Sequence, residues 1–246
     1  MTDRAQQVAI VTGASKGIGR AIAVRLAKDG MAVIVNYSSS QGAAEEVVSE
    51  IESAGGKAIA VKADIGTSAG VTTLFDAAEE NFGGTDVIAN NAGMMKLAPL
   101  TEMTDADFER QIGLNLTGTF YGIREGGRRL RDGGRIINFS SSTVRVLGPA
   151  YGPYVASKAG VEAMTLVASR ELARRKITVN TVAPGPVETD LFMNGKSDEL
   201  VQTIVKNIPL GRLGQPEDIA SVVSFLAGPD GGWVNGQTLR VNGGLI

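Results

Sequence analysis

Histidine and cysteine are both absent from this 246-residue chain. Their absence removes Ser-His-Asp and Cys-His catalysis, thiolate redox chemistry, disulfides, and the nitrogen and sulfur donors of ordinary zinc sites. Any catalysis must rest on Tyr, Lys, Ser, Asn or carboxylates, and no metal is expected. A chain without thiols does not by itself name a compartment. Long apolar runs are missing too: none reaches the ~20 residues of a membrane span. The polar stretch 1–7 runs straight into a short apolar segment without a signal-peptide pattern. A cytoplasmic protein with no membrane partner is the default expectation. A formal net charge of -2 argues against a nucleic-acid footprint. The basic clusters at 124–135 and 170–176 are short and lie at predicted helix ends, where they read as solvated faces or as cations offsetting helix dipoles.

No linker interrupts the chain, and 43% hydrophobic content allows one domain over 1–246 with a large core. Apolar, β-branched runs alternate with stretches of helical period: 8–11 then 18–28, 32–36 then 43–54, 58–61 then 71–81. The pattern continues with 87–89, a long helical region 105–130, then 135–139, 154–174, 177–182, 216–226 and 238–241. Seven strands that are apolar throughout predict an α/β protein: a doubly wound parallel sheet with helices on both faces. The stretch 184–209 breaks the rhythm with three prolines and two glycines, and it follows a strand's carboxyl end. It reads as a substrate lid over about 185–209.

The 32 glycines gather at turns after apolar runs, and one such turn reads Thr12-Gly13-Ala14-Ser15-Lys16-Gly17-Ile18-Gly19. It lies between a predicted strand and helix, where the backbone amides of Gly13, Ser15, Lys16, Gly17, Ile18 and Gly19 can hold a pyrophosphate. The second predicted strand ends in Asn36, Tyr37, Ser38 and Ser39 rather than in the acid an NAD-preferring protein places on the ribose hydroxyls. With no carboxylate to repel a 2′-phosphate and Lys16 able to reach it, NADP(H) is the expected cofactor, NAD(H) remaining possible. Downstream, Tyr154 and Lys158 are four residues apart, on one face if this segment is helical. A phenol titrates near ~10, so acting at neutral pH asks for roughly three pH units, ~4 kcal/mol of preference for the phenolate. A close, partly desolvated Lys is expected to supply much of that.

With these residues the chain closely resembles the short-chain dehydrogenase/reductase family over essentially its whole length. The matching positions are Thr12-Gly-x-x-x-Gly-x-Gly19, Asp64, Asn90-Asn91-Ala92-Gly93, Asn115, Ser141, Tyr154-x-x-x-Lys158, and Pro184-Gly185 followed by Thr189. The resemblance implies a Rossmann fold and an NADP(H)-dependent oxidoreductase interconverting a ketone and a secondary alcohol. It implies Tyr154 as proton donor, Lys158 as the cation beside it and as a ligand of the nicotinamide ribose, Ser141 as hydrogen-bond partner of the substrate oxygen, and Asn115 as holder of a proton-passing water. Asp64 and Ile65 would flank the adenine, Asn91, Ala92 and Gly93 would line the adenosine side, and Val187 and Thr189 would contact the carboxamide. Ser140 and Ser142 adjoin Ser141, and in a strand alternate residues face opposite ways; family spacing favours Ser141.

The substrate pocket is expected from Met94, Met95, Ser142, Leu147, Phe192 and Met193, an apolar set suited to a ketone with a hydrocarbon flank. Arg145 would either bind an anionic group or point to solvent. Within the family the chain looks most like the 3-oxoacyl-(acyl-carrier-protein) reductase group, many of whose members act on other ketones. Arg175 matches one carrier-protein docking position, but Asp132 stands at the other, so a broad carbonyl reductase is equally plausible. The alternatives are a sugar, polyol or secondary-alcohol dehydrogenase and, more remotely, a non-enzymatic NADP-binding sensor. The resemblance also implies a homotetramer, assembled through the helices after Asp105 and Tyr154 and the C-terminal segment.

Overall fold

The computed structural model describes residues 6–246; residues 1–5, part of the polar N-terminal stretch, lie outside it. Strands β1 (Val8–Val11), β2 (Ala32–Tyr37), β3 (Lys57–Lys62), β4 (Thr85–Asn90), β5 (Leu130–Phe139), β6 (Thr178–Pro184) and β7 (Thr238–Val241) form one sheet in the order β3-β2-β1-β4-β5-β6-β7. Every neighbouring pair is parallel. The apolar runs in the sequence follow from this arrangement, because both sheet faces are covered. Successive residues of β1 go to opposite sides: Ala9 and Val11 join Ile22, Leu26 and Val223, whereas Val8 and Ile10 join Leu74, Phe75 and Ile136. Each fully buried Ile or Leu among them contributes about 1.5–3 kcal/mol relative to an exposed one.

The first face carries α1 (Gly17–Lys28), α2 (Gln41–Ser53) and α10 (Pro216–Ala227). The second carries α3 (Ser68–Phe82), α5 (Gly118–Arg129) and α7 (Gly152–Glu171), with α4 (Asp105–Ile112) leading into α5. A short α6 (Thr143–Val146) precedes α7. The chain winds outward from β1 to β3, then returns to the other side of β1 as β4. The carboxyl ends of β1 and β4 therefore flank a crevice, the place where open α/β sheets take ligands.

Two expected elements take a different form. The helical region 105–130 is not one regular helix: a π segment (Gly113–Thr117) separates α4 from α5, and β5 begins at Leu130. One extra residue in that turn widens the backbone around Asn115, whose carbonyl accepts from the Thr119 hydroxyl at 2.8 Å. The stretch expected to be irregular holds two helices, α8 (Asp190–Met193) and α9 (Asp198–Lys206), capped by Thr189 and Ser197. Val201, Ile208 and Leu213 form a small apolar centre there, with Phe192, Met193 and Leu245 packed on it. Among the described residues no helix is long and apolar enough to cross a membrane.

Candidate active site

The glycine turn is shaped by its neighbours. Gly13 has φ +62°, and a Cβ there would sit 3.0 Å from the Ala92 Cα. At Gly19 a Cβ would fall 2.2 Å from the Gly13 carbonyl oxygen and 2.6 Å from Asn91 Nδ2. Only a residue without a side chain lets the first turn of α1 pass so close beneath the loop. Asn91 Nδ2 donates to the Thr12 carbonyl at 2.9 Å, and the Ala92 amide donates to Thr12 Oγ1 at 3.0 Å, so the ends of β1 and β4 are laced together. The start of α1 has no side-chain cap and no acid in its first turn. Its amides are thus left to an anion, and a pyrophosphate fits this backbone cradle.

Asn36 differs from its expected place at the adenosine ribose. It is 2% exposed; its Oδ1 accepts from the Gly13 amide at 3.1 Å, and its Nδ2 faces the carbonyls of Tyr37, Val61 and Ala63. It is a brace for the glycine turn. Tyr37 likewise packs into the core, leaving Ser38 and Ser39 exposed at the end of β2 and Lys16 exposed in the turn. Asp64 is exposed and accepts from the Gly66 amide at 2.9 Å, while the Ile65 side chain enters the second core.

Helix α7 presents Tyr154 and Lys158 along one face toward the end of β5. The Lys158 ammonium, 5% exposed, donates to the Phe139 carbonyl at 2.9 Å and lies 5.8 Å from the Tyr154 ring centroid. Burial alone pushes it down to about 8. Contrary to the expectation of a phenol acidified by its neighbour, the protein around Tyr154 pushes it up, mainly by burial, while a hydrogen bond with Ser141 pulls it back and Tyr151 adds to the rise. At neutral pH the group is a protonated phenol, ready to donate. The Lys158 cation beside the ring would favour a phenolate formed there.

Of the three serines, Ser141 is the one that bears on the phenol, and its Oγ also accepts from the Thr143 amide at 3.3 Å. Ser140 is turned to α7, its hydroxyl donating to Glu162 Oε1 at 2.7 Å. Ser142, expected in the substrate pocket, is buried and its hydroxyl accepts from Asn242 Nδ2 at 3.2 Å, because the chain leaves β5 by a turn that points it at the end of β7. Asn115 is fully buried in the π segment; its carboxamide is held by the backbone of Met94, at 2.8 Å and 2.9 Å, and by Ser157. A Cβ on Gly93 would lie 3.2 Å from Asn115 Oδ1 and 3.5 Å from Lys158 Nζ, so the β4 loop reaches the same place. The side chain of Asn115 fixes that loop. Ser157, which the sequence did not single out, also donates to the Tyr154 carbonyl at 2.7 Å and joins the two elements.

The segment expected to be a lid follows β6. The Pro184 carbonyl accepts from the Ser142 amide, the Gly185 amide donates to Val241, and Val187 bridges to Gly214. Thr189 Cγ2 lies 3.3 Å from where a Gly17 Cβ would be, so the first residues of this segment stand over the glycine turn. Met94 and Met95 are half-buried, and Arg145 and Leu147 are exposed on the loop after β5. Phe192 and Met193, expected in the substrate pocket, are half-buried and pack on the small apolar centre of Val201, Ile208 and Leu213.

Arg175 pairs with Asp132 at 2.8 Å and also donates to the carbonyls of Gly127 and Leu130. Arg129 pairs with Asp76 and Glu79, and Arg131 with Asp86. The 124–135 cluster is thus largely tied within the molecule, whereas in the 170–176 cluster Arg170, Arg174 and Lys176 are exposed.

A family model described as "Enoyl-(Acyl carrier protein) reductase" matches residues 13–246. The chain is 48% identical to a short-chain type dehydrogenase/reductase of Picea abies, covering 98% of this chain and 92% of the relative. Among solved structures, a blue fluorescent protein from a metagenomic library, in complex with NADPH, is 40% identical with a TM-score of 0.92, covering 97% of each chain. The angucycline C-6 ketoreductase LanV with bound NADP is 38% identical with a TM-score of 0.92, covering 97% of this chain and 95% of that one. Identity at this level over nearly the whole length, with the glycine turn and the Ser141, Tyr154 and Lys158 group in one crevice, leaves one conclusion: the chain belongs to the short-chain dehydrogenase/reductase family.

Proposed function

We propose that the protein is an NADP(H)-dependent carbonyl reductase that converts a ketone with a hydrocarbon flank into a secondary alcohol. The observation that carries this reading is the meeting of Ser141, Tyr154 and Lys158 at the end of β5, beside a glycine cradle that leaves room for a pyrophosphate. The absence of a carboxylate at the end of β2 and the exposed Lys16 favour a 2′-phosphate, and two related structures hold NADP or NADPH. When bound, the reduced nicotinamide supplies the hydride.

The chain's own part is to hold the carbonyl oxygen and protonate it. Ser141 and Tyr154 offer two hydroxyls to that oxygen, and Tyr154 gives up its proton as negative charge develops. Lys158, kept in place by the Phe139 carbonyl, is the fixed cation that receives the phenolate. Asn115 holds the 93–94 backbone against α7, which bounds the crevice on the β4 side. Met94, Met95 and Leu147 supply apolar surface. Arg145 is exposed on its loop.

The internal pairing of Arg175 with Asp132 favours free ketones over carrier-bound thioesters, because a docking surface needs cations that are not already neutralised. Phe108, Phe120, Leu166 and Val167 expose apolar surface on the outer faces of α4, α5 and α7, which supports a homotetramer built on those helices. The decisive experiment follows absorbance loss of NADPH and NADH over a panel of aryl ketones, β-ketoesters, diketones and acyl thioesters. Ketone-dependent oxidation of NADPH is expected; none across the panel, or turnover of alcohols alone with the oxidised cofactor, would overturn the reading.

A further inference from the structure

Helix α7 grips the end of β5 at three consecutive residues. Lys158 Nζ takes the Phe139 carbonyl at 2.9 Å and Glu162 Oε1 takes the Ser140 hydroxyl at 2.7 Å, while Ser141, whose Oγ accepts from the Thr143 amide at 3.3 Å, is near enough to Tyr154 to pull its phenol down. The three helix residues are spaced by four, so they rise along one face, while the three strand-end residues are adjacent in sequence. Ser140 has a single hydroxyl proton. The short contact with the carboxylate makes it the principal bond, and the Lys158 carbonyl at 3.3 Å a secondary one.

We infer that Glu162 is a positioning residue: through Ser140 it fixes the rotation of the strand end and thereby aims Ser141 at the Tyr154 hydroxyl. Ser140 and Ser141 are joined by one peptide just past the end of β5, so anchoring the Ser140 side chain to α7 restricts the backbone from which Ser141 leaves. A hydrogen bond to a carboxylate is stronger than one between neutral groups, which suits a latch that must hold while the substrate oxygen competes for Ser141. The Lys158 ammonium is displaced from its ordinary value by burial alone, with no contribution from Glu162. The role assigned to the carboxylate is therefore geometric. The groups that bear on the phenol are Tyr151 and Lys158 of α7, with the uncharged Ser141 from the strand end and the uncharged Asn115 in the π segment nearby.

The inference rests on the roles proposed for Tyr154 and Ser141, and its test separates the two. Glu162→Ala should lower kcat for ketone reduction about tenfold, with the KM for NADPH within about twofold, the loss of one aligned hydrogen bond. Glu162→Gln keeps an acceptor oxygen for Ser140 and should restore the rate. Ser140→Ala, which removes only a hydroxyl, should match Glu162→Ala, and the double variant should be no worse than either single one. In the cofactor-free protein, NMR titration of tyrosines labelled at the ring carbon bearing oxygen should place Tyr154 at higher pH in Glu162→Ala and Ser140→Ala than in the wild type or Glu162→Gln. Loss of alignment removes the interaction that pulls the phenol down. Wild-type rates and titration in both truncations, equal impairment of Glu162→Gln, or additive losses in the double variant would each overturn the inference. If the wild-type protein reduces no ketone, the functional reading has failed, and the titration still decides the role of Glu162.

Discussion

The carboxamide oxygen of Asn36 accepts from the Gly13 amide at 3.1 Å, joining the end of β2 to the glycine turn 23 residues earlier. Its amide nitrogen meanwhile faces three carbonyls of the β2–β3 edge. Asn36→Asp keeps the shape but turns those carbonyls against a buried carboxylate. A loss of about 3 kcal/mol is expected, read as a lower midpoint in urea unfolding, with weaker NADPH binding as the turn loosens. An unchanged midpoint would remove Asn36 from the turn.

Coenzyme preference should be adjustable one residue further on. Ser38 is exposed where β2 ends, so Ser38→Asp places a carboxylate in solvent without disturbing the core. The ratio of kcat/KM for NADPH to that for NADH should fall by at least about tenfold, the cost of setting a carboxylate near a phosphate. Lys16→Ala should move the ratio the same way by a smaller factor.

Lys158 is a charge held where charge is costly, and its removal should strengthen the fold. Its folded-state value is depressed to about 8 from 10.5, so between those values the unfolded chain binds more protons than the native one. Native stability therefore rises with pH from about 8 toward 10.5 and is insensitive to this group below 8. Lys158→Met should be more stable than the wild type at pH 7, by up to about 3 kcal/mol, and the gap should close as pH rises past 8. Tyr154, raised by burial, acts in the opposite sense but only above its ordinary value of 10.0. Calorimetry from pH 6 to 9.5 on both proteins checks the sign. Activity should be lost at every pH.

Tyr154→Phe removes one oxygen and should lower kcat by about 10²–10⁴-fold while leaving NADPH affinity, measured by nucleotide fluorescence, within about threefold. Substantial retention of ketone-dependent NADPH oxidation would mean another donor.

The strands were legible as short apolar stretches bounded by glycine or polar residues, such as Val8–Val11 at the centre of the sheet. The pairing of Tyr154 with Lys158 was legible because a four-residue spacing has one meaning on a helix. The π segment was not, since Gly113-Leu114-Asn115-Leu116-Thr117 reads like ordinary helix and only the backbone hydrogen bonds show the extra residue. Asn36 looked like a ribose contact because strand ends usually are; its partners Gly13 and Ala63 are 23 and 27 residues away in sequence and become neighbours only when the sheet forms. Tyr154's raised phenol was equally out of reach, because spacing reveals the nearby cation but not how much protein surrounds the hydroxyl. Helix α9 left a trace, the apolar pairs Leu200-Val201 and Ile204-Val205 one turn apart, hidden by the prolines and glycines around it.

The small apolar centre of Val201, Ile208 and Leu213, backed by Leu245, gives residues 186–213 a cohesion separate from the two cores on either side of the sheet. Such a segment behaves as a cassette. Exchanged between homologues together with the last five residues, it should carry preference for one ketone over another into a recipient whose proton-handling residues stay untouched, making substrate choice and chemistry inheritable apart.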